Sequence, residues 1–148
     1  MANYLSKTRL NTNITVRGTA TLPQTAQTPY FTVTGRVLLT QIVGEVVVAS
    51  AAGANSLDLW SNPTVGADVA LCGATDCDAD VAGTLYTITG TLADNLIATT
   101  SGAVKAQVAS ILVAAGTIDL KTTANKAGTT KWTVHWIPLD PNSTVVVA

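Results

Sequence analysis

Apolar and polar residues alternate in short runs from residue 30 to the C-terminus, and this two-residue period is typical of β-strands. In residues 129–137, Trp132 and Trp136 share one face while Lys131 and His135 share the other. The predicted strands cover residues 13–16, 30–34, 36–49, 57–60, 65–71, 84–89, 117–122, 129–137 and 145–147, while residues 92–99 and 104–113 are ambiguous between strand and helix. Eight to ten short strands separated by small-residue turns predict an all-β fold, a single β-sandwich or barrel-like domain.

The longest predicted strand, residues 36–49, is apolar on both faces. Such a strand is either central in its sheet or has one face against another subunit. We therefore expect the face formed by Leu38, Ile42 and Val46 to take part in self-association. Gly44 in the middle of this run, followed by a glutamate, suggests a β-bulge.

The first 28 residues differ from the rest of the chain, because they are rich in Thr, Asn and Gln and hold few large apolar residues. We predict that residues 1–28 form an extended N-terminal arm and residues 29–148 form the β-domain. An arm of this composition adds little to the stability of the domain. Its cations Lys7, Arg9 and Arg17 are expected to bind an acidic partner surface, and its backbone to join an exposed strand edge.

The composition supports strands and indicates extensive contacts. Charged residues make up 11% of the chain, against about 25% in typical soluble domains. The 25 threonines supply much of the polarity, and their branched side chains suit a pleated sheet. The most apolar stretch, residues 37–54, contains Gln41 and Glu45, so we expect no membrane span. No secretory signal is visible at the N-terminus, and we expect synthesis in the cytoplasm.

The charges are unevenly distributed along the chain. Residues 1–44 carry four cations and no acid, whereas residues 45–104 carry seven acids and no cation. Four dispersed cations do not form the dense basic patch that nucleic acid requires, so we expect no nucleic-acid binding. Docking of a basic arm on an acidic protein partner is one interpretation of this polarity, and random scatter in a charge-poor chain is the other.

The sequence offers little for catalysis. His135 is the single histidine, and its predicted neighbours on the strand face, Lys131 and Thr133, indicate a surface position. No nucleophile elbow, phosphate-binding loop or dinucleotide fingerprint is present. We therefore predict a protein without enzymatic activity and without a cofactor.

Residues 76–80 have aspartate at every second position, which makes this segment the strongest candidate for a metal-binding loop. Alternating aspartates supply oxygen ligands in calcium-binding loops, but the sixth and twelfth positions of such a loop would be Val81 and Thr87 instead of glycine and glutamate. An acidic turn is therefore favoured over a calcium site, and we predict no metal. The nearby Cys72 and Cys77 allow two alternatives, a disulfide across a short loop or two free, packed thiols.

Trp132 and Trp136 also allow two interpretations. Two large rings at alternate positions of one strand usually anchor a core. The same spacing would suit an aromatic strip that binds a sugar.

Residues 83–90 (GTLYTITG), 115–120 (AGTIDL) and 131–140 (KWTVHWIPLD) resemble segments of small proteins encoded among the virion genes of tailed bacteriophages. The resemblance runs from about Thr28 to the C-terminus. It implies a virion component, and the chain length suits a head decoration, or cement, protein on the capsid exterior. Such a protein binds the major capsid protein, stabilises the head and often forms homo-oligomers, with the trimer favoured. The resemblance implies no catalytic or ligand-binding residue.

Two functions from different classes thus remain. The first is a structural cement that self-associates on the capsid lattice. The second is a tail- or fibre-associated binding module that recognises a glycan or protein on the host surface. The low charge and the apolar long strand favour the first, and the tryptophan pair favours the second.

Overall fold

The computed structural model describes residues 12–148 and is all-β in this range, which confirms the predicted fold class. The strands are β1 (Asn13–Thr21), β2 (Gln27–Thr34), β3 (Val37–Val48), β4 (Ser56–Pro63), β5 (Val69–Ala70), β6 (Thr75–Asp76), β7 (Leu85–Thr87), β8 (Ile97–Thr99), β9 (Ile111–Val113), β10 (Gly116–Thr122), β11 (Thr129–Pro138) and β12 (Thr144–Val147). They form two six-stranded antiparallel sheets that pack together as a β-sandwich.

Sheet A has the strand order β1-β11-β3-β7-β8, and β9 pairs with the first residues of β3. Sheet B has the order β12-β2-β10-β4-β5, and β6 pairs with the start of β4. β1 ends the strand order of sheet A and β12 ends that of sheet B, and these two edge strands lie at the same side of the sandwich. There the Thr15 hydroxyl donates a hydrogen bond of 2.7 Å to the Val145 carbonyl, which joins the two sheets.

The core lies between the inner faces of the sheets and contains the large aromatic side chains. Trp132 is fully buried, stacks on Tyr86 with a centroid distance of 5.9 Å, and donates its indole N–H to Thr130 Oγ1 at 3.0 Å. Trp136 is also buried. Burial of one such side chain stabilises the fold by roughly 1.5–3 kcal/mol. The tryptophan pair therefore anchors the core, and the alternative of a sugar-binding strip is wrong.

The register of β3 with β11 shifts at Thr40 and again at Val47, and neither is the position predicted for a bulge. Thr40 is an extra residue between two neighbouring pairs with β11, and it shifts the side-chain alternation by one position. As a result Leu39 and Ile42 both point into the core. At Gly44 the register with β11 is regular. Glycine is needed there for space, because a Cβ atom would lie 2.6 Å from Cζ2 of Trp132.

The N-terminal segment also differs from the prediction. Residues 13–21 form β1, which pairs with β11 along its length and is an edge strand of sheet A. The next residue, Leu22, is buried in the core, and Gln27 begins β2. The short strand predicted at residues 13–16 is confirmed as the start of β1, but the assignment of residues 13–28 to an arm separate from the domain is wrong. The first 11 residues of the predicted arm lie outside the described range. Within residues 12–148 no helix is long and apolar enough to cross a membrane.

Candidate functional surfaces

The outer face of sheet A carries apolar side chains from five of its strands. Ile14, Val16 and Leu112 are 59%, 58% and 57% exposed. The apolar members of this surface, called face A, are Ile14, Val16, Leu38, Val43, Ile97, Leu112 and Ile137. An exposed apolar surface of this kind is unusual on a monomeric protein and often marks a contact site.

The strand register arranges these side chains in rows across the sheet. One row runs from Val16 through Thr133 to Val43, and it continues through β7 to Ile97 at the far edge. A second row consists of Ile137, Leu38 and Leu112. Thr133 and the buried Thr87 interrupt the first row, so polar positions separate the apolar side chains of face A.

The charges on face A cancel. Lys131 and Glu45 are cross-strand partners, and Lys131 Nζ lies 3.0 Å from Glu45 Oε2 in a partly exposed ion pair. The strands of sheet A carry a third permanent charge, Arg17, whose side chain reaches towards sheet B. His135 lies on the same outer face, half-buried between Ile14 and Gln41, which is the surface position predicted for it.

Two of the three residues predicted to mediate self-association lie in the core. Ile42 is 0% exposed and Val46 is 2% exposed, so neither contacts a partner. Leu38 lies on face A and is half-buried. The bulge at Thr40 separates Leu38 from the other two, because it reverses the direction of the side chains that follow. The prediction is therefore wrong for Ile42 and Val46. The exposed apolar side chains on the outer side of sheet A are those of face A instead.

Of the three cations predicted to bind an acidic partner surface, one lies within the described residues. Lys7 and Arg9 lie outside the described residues. Arg17 lies 4.3 Å above the Tyr30 ring, and its guanidinium donates hydrogen bonds to the backbone carbonyls of Tyr30 (3.2 Å) and Ala148 (3.1 Å). Arg17 thus ties β1 to sheet B, and its charge is engaged within the fold.

The aspartates of residues 76–80 accept hydrogen bonds from the protein itself. Asp76 Oδ1 accepts from the backbone N–H of Asp78 at 2.9 Å, and Asp78 Oδ1 accepts from that of Gly53 at 2.6 Å. Asp80 accepts from the Tyr86 hydroxyl. These contacts are those of an acidic turn. In residues 12–148 no group of three or more His, Cys, Asp or Glu side chains is arranged to hold a metal ion.

Cys72 and Cys77 are both free and buried. The pKa of each thiol is raised to about 11, mainly by burial, and at Cys77 the neighbouring aspartates contribute to the same shift. Thiolates are scarce at neutral pH under these conditions, so neither cysteine is a reactive nucleophile.

The outer face of sheet B is polar and holds residues that sequence reasoning did not single out. Trp60 lies half-buried on β4 and donates its indole N–H to Asp58 Oδ2 at 2.9 Å, while Lys121 Nζ lies 4.6 Å from the centre of the ring. Partial burial raises the pKa of Asp58, although Trp60 and Lys121 oppose this shift. The alternation of β10 does predict that Asp119 and Lys121 point outwards. Their neighbours come from other strands, so sequence alone could not identify them.

No protein-family model matches the chain, and no curated protein or solved structure is significantly similar to it.

Proposed function

We propose that the protein is a non-enzymatic virion structural component, a head decoration protein that associates with copies of itself and binds the major capsid protein on the capsid exterior. The observation that supports this proposal most directly is face A, with Ile14, Val16 and Leu112 more than half exposed. The resemblance of the sequence to small phage virion proteins points in the same direction.

A second copy of this chain is the occupant that suits face A best. The face combines exposed apolar side chains with an ion pair of no net charge, so two copies do not repel each other there. The resemblance favours a trimer among the closed homo-oligomers.

The alternative, a tail- or fibre-associated module that recognises a host glycan, loses its original support. The two tryptophans that suggested it are buried in the core. Trp60 is the tryptophan at the surface, and Lys121 lies over one face of its ring. We therefore favour the structural role.

Sedimentation velocity over a range of concentrations tests the self-association. We expect the parent protein to form a discrete oligomer and the Val16→Asp and Leu112→Asp variants to sediment as monomers, because a carboxylate on face A opposes burial of the apolar rows. Val65→Asp is the matched control, since Val65 is 89% exposed in a loop away from face A. Circular dichroism verifies that each variant is folded. A parent protein that stays monomeric, or an oligomer that both face A variants retain, contradicts the proposal.

A further inference from the structure

The outer face of sheet B contains a cluster of oxygen-rich side chains around a buried carboxylate. We call Gln27, Asn62, Asp68 and Asp119 the Asp119 cluster. Asp119 belongs to β10, Gln27 begins β2, Asn62 is near the end of β4, and Asp68 lies just before β5. Four separate segments of the chain thus meet at one point.

Asp119 is the centre of the cluster and is 1% exposed although it points away from the core. Its register partners are Trp60 on one side and Pro29 on the other. Among residues 12–148, Asp119 Oδ1 has no hydrogen-bond partner. A buried carboxylate oxygen without a partner is costly, so this atom indicates a position where a positive ligand would be stabilised.

A second carboxylate lies close to the first. The Gln27 side-chain nitrogen donates to Asp119 Oδ2 at 2.9 Å and to Asp68 Oδ2 at 3.1 Å, so one amide group holds both carboxylates. Asn62 Nδ2 also donates to Asp119 Oδ2, at 3.3 Å. Neither ion pair in the described part of the chain involves Asp68 or Asp119. The hydrogen bonds to these two carboxylates thus come from neutral amides, while the nearby cation Lys121, the register partner of Gln27, lies over the Trp60 ring.

We propose that the Asp119 cluster binds a hard divalent cation, with calcium as the favoured ion. Calcium takes about six to eight oxygen ligands from carboxylates, amide carbonyls and water. Asp68 and Asp119 supply the carboxylates. Rotation of the Gln27 and Asn62 amides by half a turn replaces their nitrogens with oxygens at nearly the same positions. The cluster has no thiol or imidazole, so it does not suit zinc.

The cluster meets solvent at Asp68, which is exposed and lies in the loop after β4. The aspartates of residues 76–80 differ from those of the cluster, because their carboxylates already accept hydrogen bonds from backbone N–H groups and from Tyr86.

Calorimetric titration of the chelator-treated full chain with calcium chloride tests the site, together with the melting temperature at constant ionic strength. We expect calcium to bind and to raise the melting temperature by several degrees, because it binds the folded state. Asp68→Asn should weaken calcium binding about tenfold or more, and Asp119→Asn should abolish it. Asp76→Asn is the matched control, since it removes one exposed carboxylate elsewhere and should leave the affinity unchanged.

Terbium luminescence gives a second readout that does not depend on the folding of an Asp119 variant. Trp60 is the cross-strand neighbour of Asp119, so terbium in the cluster should emit on tryptophan excitation and be displaced by calcium. Trp60→Phe should remove most of this emission without changing calcium affinity. The proposal is overturned if millimolar calcium neither binds nor stabilises the parent protein. It is also overturned if Asp68→Asn binds like the parent while Asp76→Asn does not.

Discussion

Gly44 and Trp132 show how a single residue determines the packing of the core. They are cross-strand partners in β3 and β11, and the Trp132 indole occupies the space where a side chain at position 44 would lie. The ring is also held from another side by Tyr86. It has little freedom to move, so position 44 requires glycine for steric reasons.

Gly44→Ala should therefore lower the free energy of unfolding by about 1–3 kcal/mol, the usual cost of overpacking a core. Gly18→Ala is the control in another strand of sheet A, since no atom lies within 4 Å of a Cβ added there. We expect Gly18→Ala to leave stability unchanged or slightly increased. Urea denaturation of both variants provides the comparison, and equal stabilities would show that Trp132 repacks freely.

Cys72 and Cys77 should be inert in the folded protein. Burial raises the pKa of both thiols to about 11, so almost no thiolate exists near neutral pH. We expect Ellman's reagent to label neither cysteine rapidly under native conditions and to label both in guanidinium chloride without a reductant. Rapid native labelling would contradict the burial, and no labelling after denaturation would indicate a disulfide.

Asp140 should give the stability a dependence on acid pH. Its hydrogen bonds with the Arg36 guanidinium and backbone N–H lower the pKa of Asp140 to about 2. A carboxyl with a lowered folded-state pKa stabilises the protein above its unfolded pKa of about 4, and this contribution is lost as the pH falls towards 2. Asp140→Asn should melt below the parent at neutral pH, and the difference should shrink between about pH 4 and 2. A difference that is independent of pH would mean that the Arg36 ion pair does not contribute.

At the scale of the elements, the sequence predicted strands and their faces best where apolar and polar residues alternate strictly. Where they do not alternate, the faces or the bounds of the strands were predicted poorly. β10 and β11 were clear because apolar and polar residues alternate along them. The faces of β3 were assigned incorrectly, because residues apolar on both sides leave no pattern to mark the bulge at Thr40. β6 has two residues, which is shorter than any detectable period, whereas β5 lies within the longer strand predicted at residues 65–71.

The extent of β1 could not be predicted because its apolar side chains point outwards and its polar side chains point inwards, the reverse of the usual arrangement in a strand. Ile14 and Val16 point outwards onto face A, while Thr15 and Arg17 point inwards and form hydrogen bonds with sheet B. Polar residues on the inner face made the segment resemble an arm. The polar contacts that justify this inversion involve Val145, Ala148 and Tyr30, and they depend on the tertiary fold.

Deletion of residues 2–22 should consequently destabilise the domain severely, by at least about 3 kcal/mol. It removes a whole edge strand and the buried Leu22, and it takes away Thr15 Oγ1, which accepts the indole N–H of Trp136 at 3.1 Å. A chain with Ile14→Thr and Val16→Thr keeps the strand and should melt close to the parent. Thermal denaturation distinguishes them. A truncated chain with the parent's melting temperature would show that β1 is dispensable.

At the scale of the whole molecule, the two sheets present different outer surfaces. Face A exposes several large apolar side chains and has no net charge, whereas the outer face of sheet B is polar and contains the Asp119 cluster. The sequence predicted neither surface completely. Face A depends on a register that crosses five strands, and the Asp119 cluster joins residues up to 92 positions apart. Both surfaces exist only once the strand order is fixed.

The copy number of this chain in purified virions is the most direct test of the proposed structural role. Densitometry of a denaturing gel, or quantitative mass spectrometry, compares its amount with that of the major capsid protein. A decoration protein occupies equivalent positions over the capsid lattice, so we predict a simple, fixed molar ratio close to that of the lattice protein. Only a few copies per particle, or none, would contradict a decoration role.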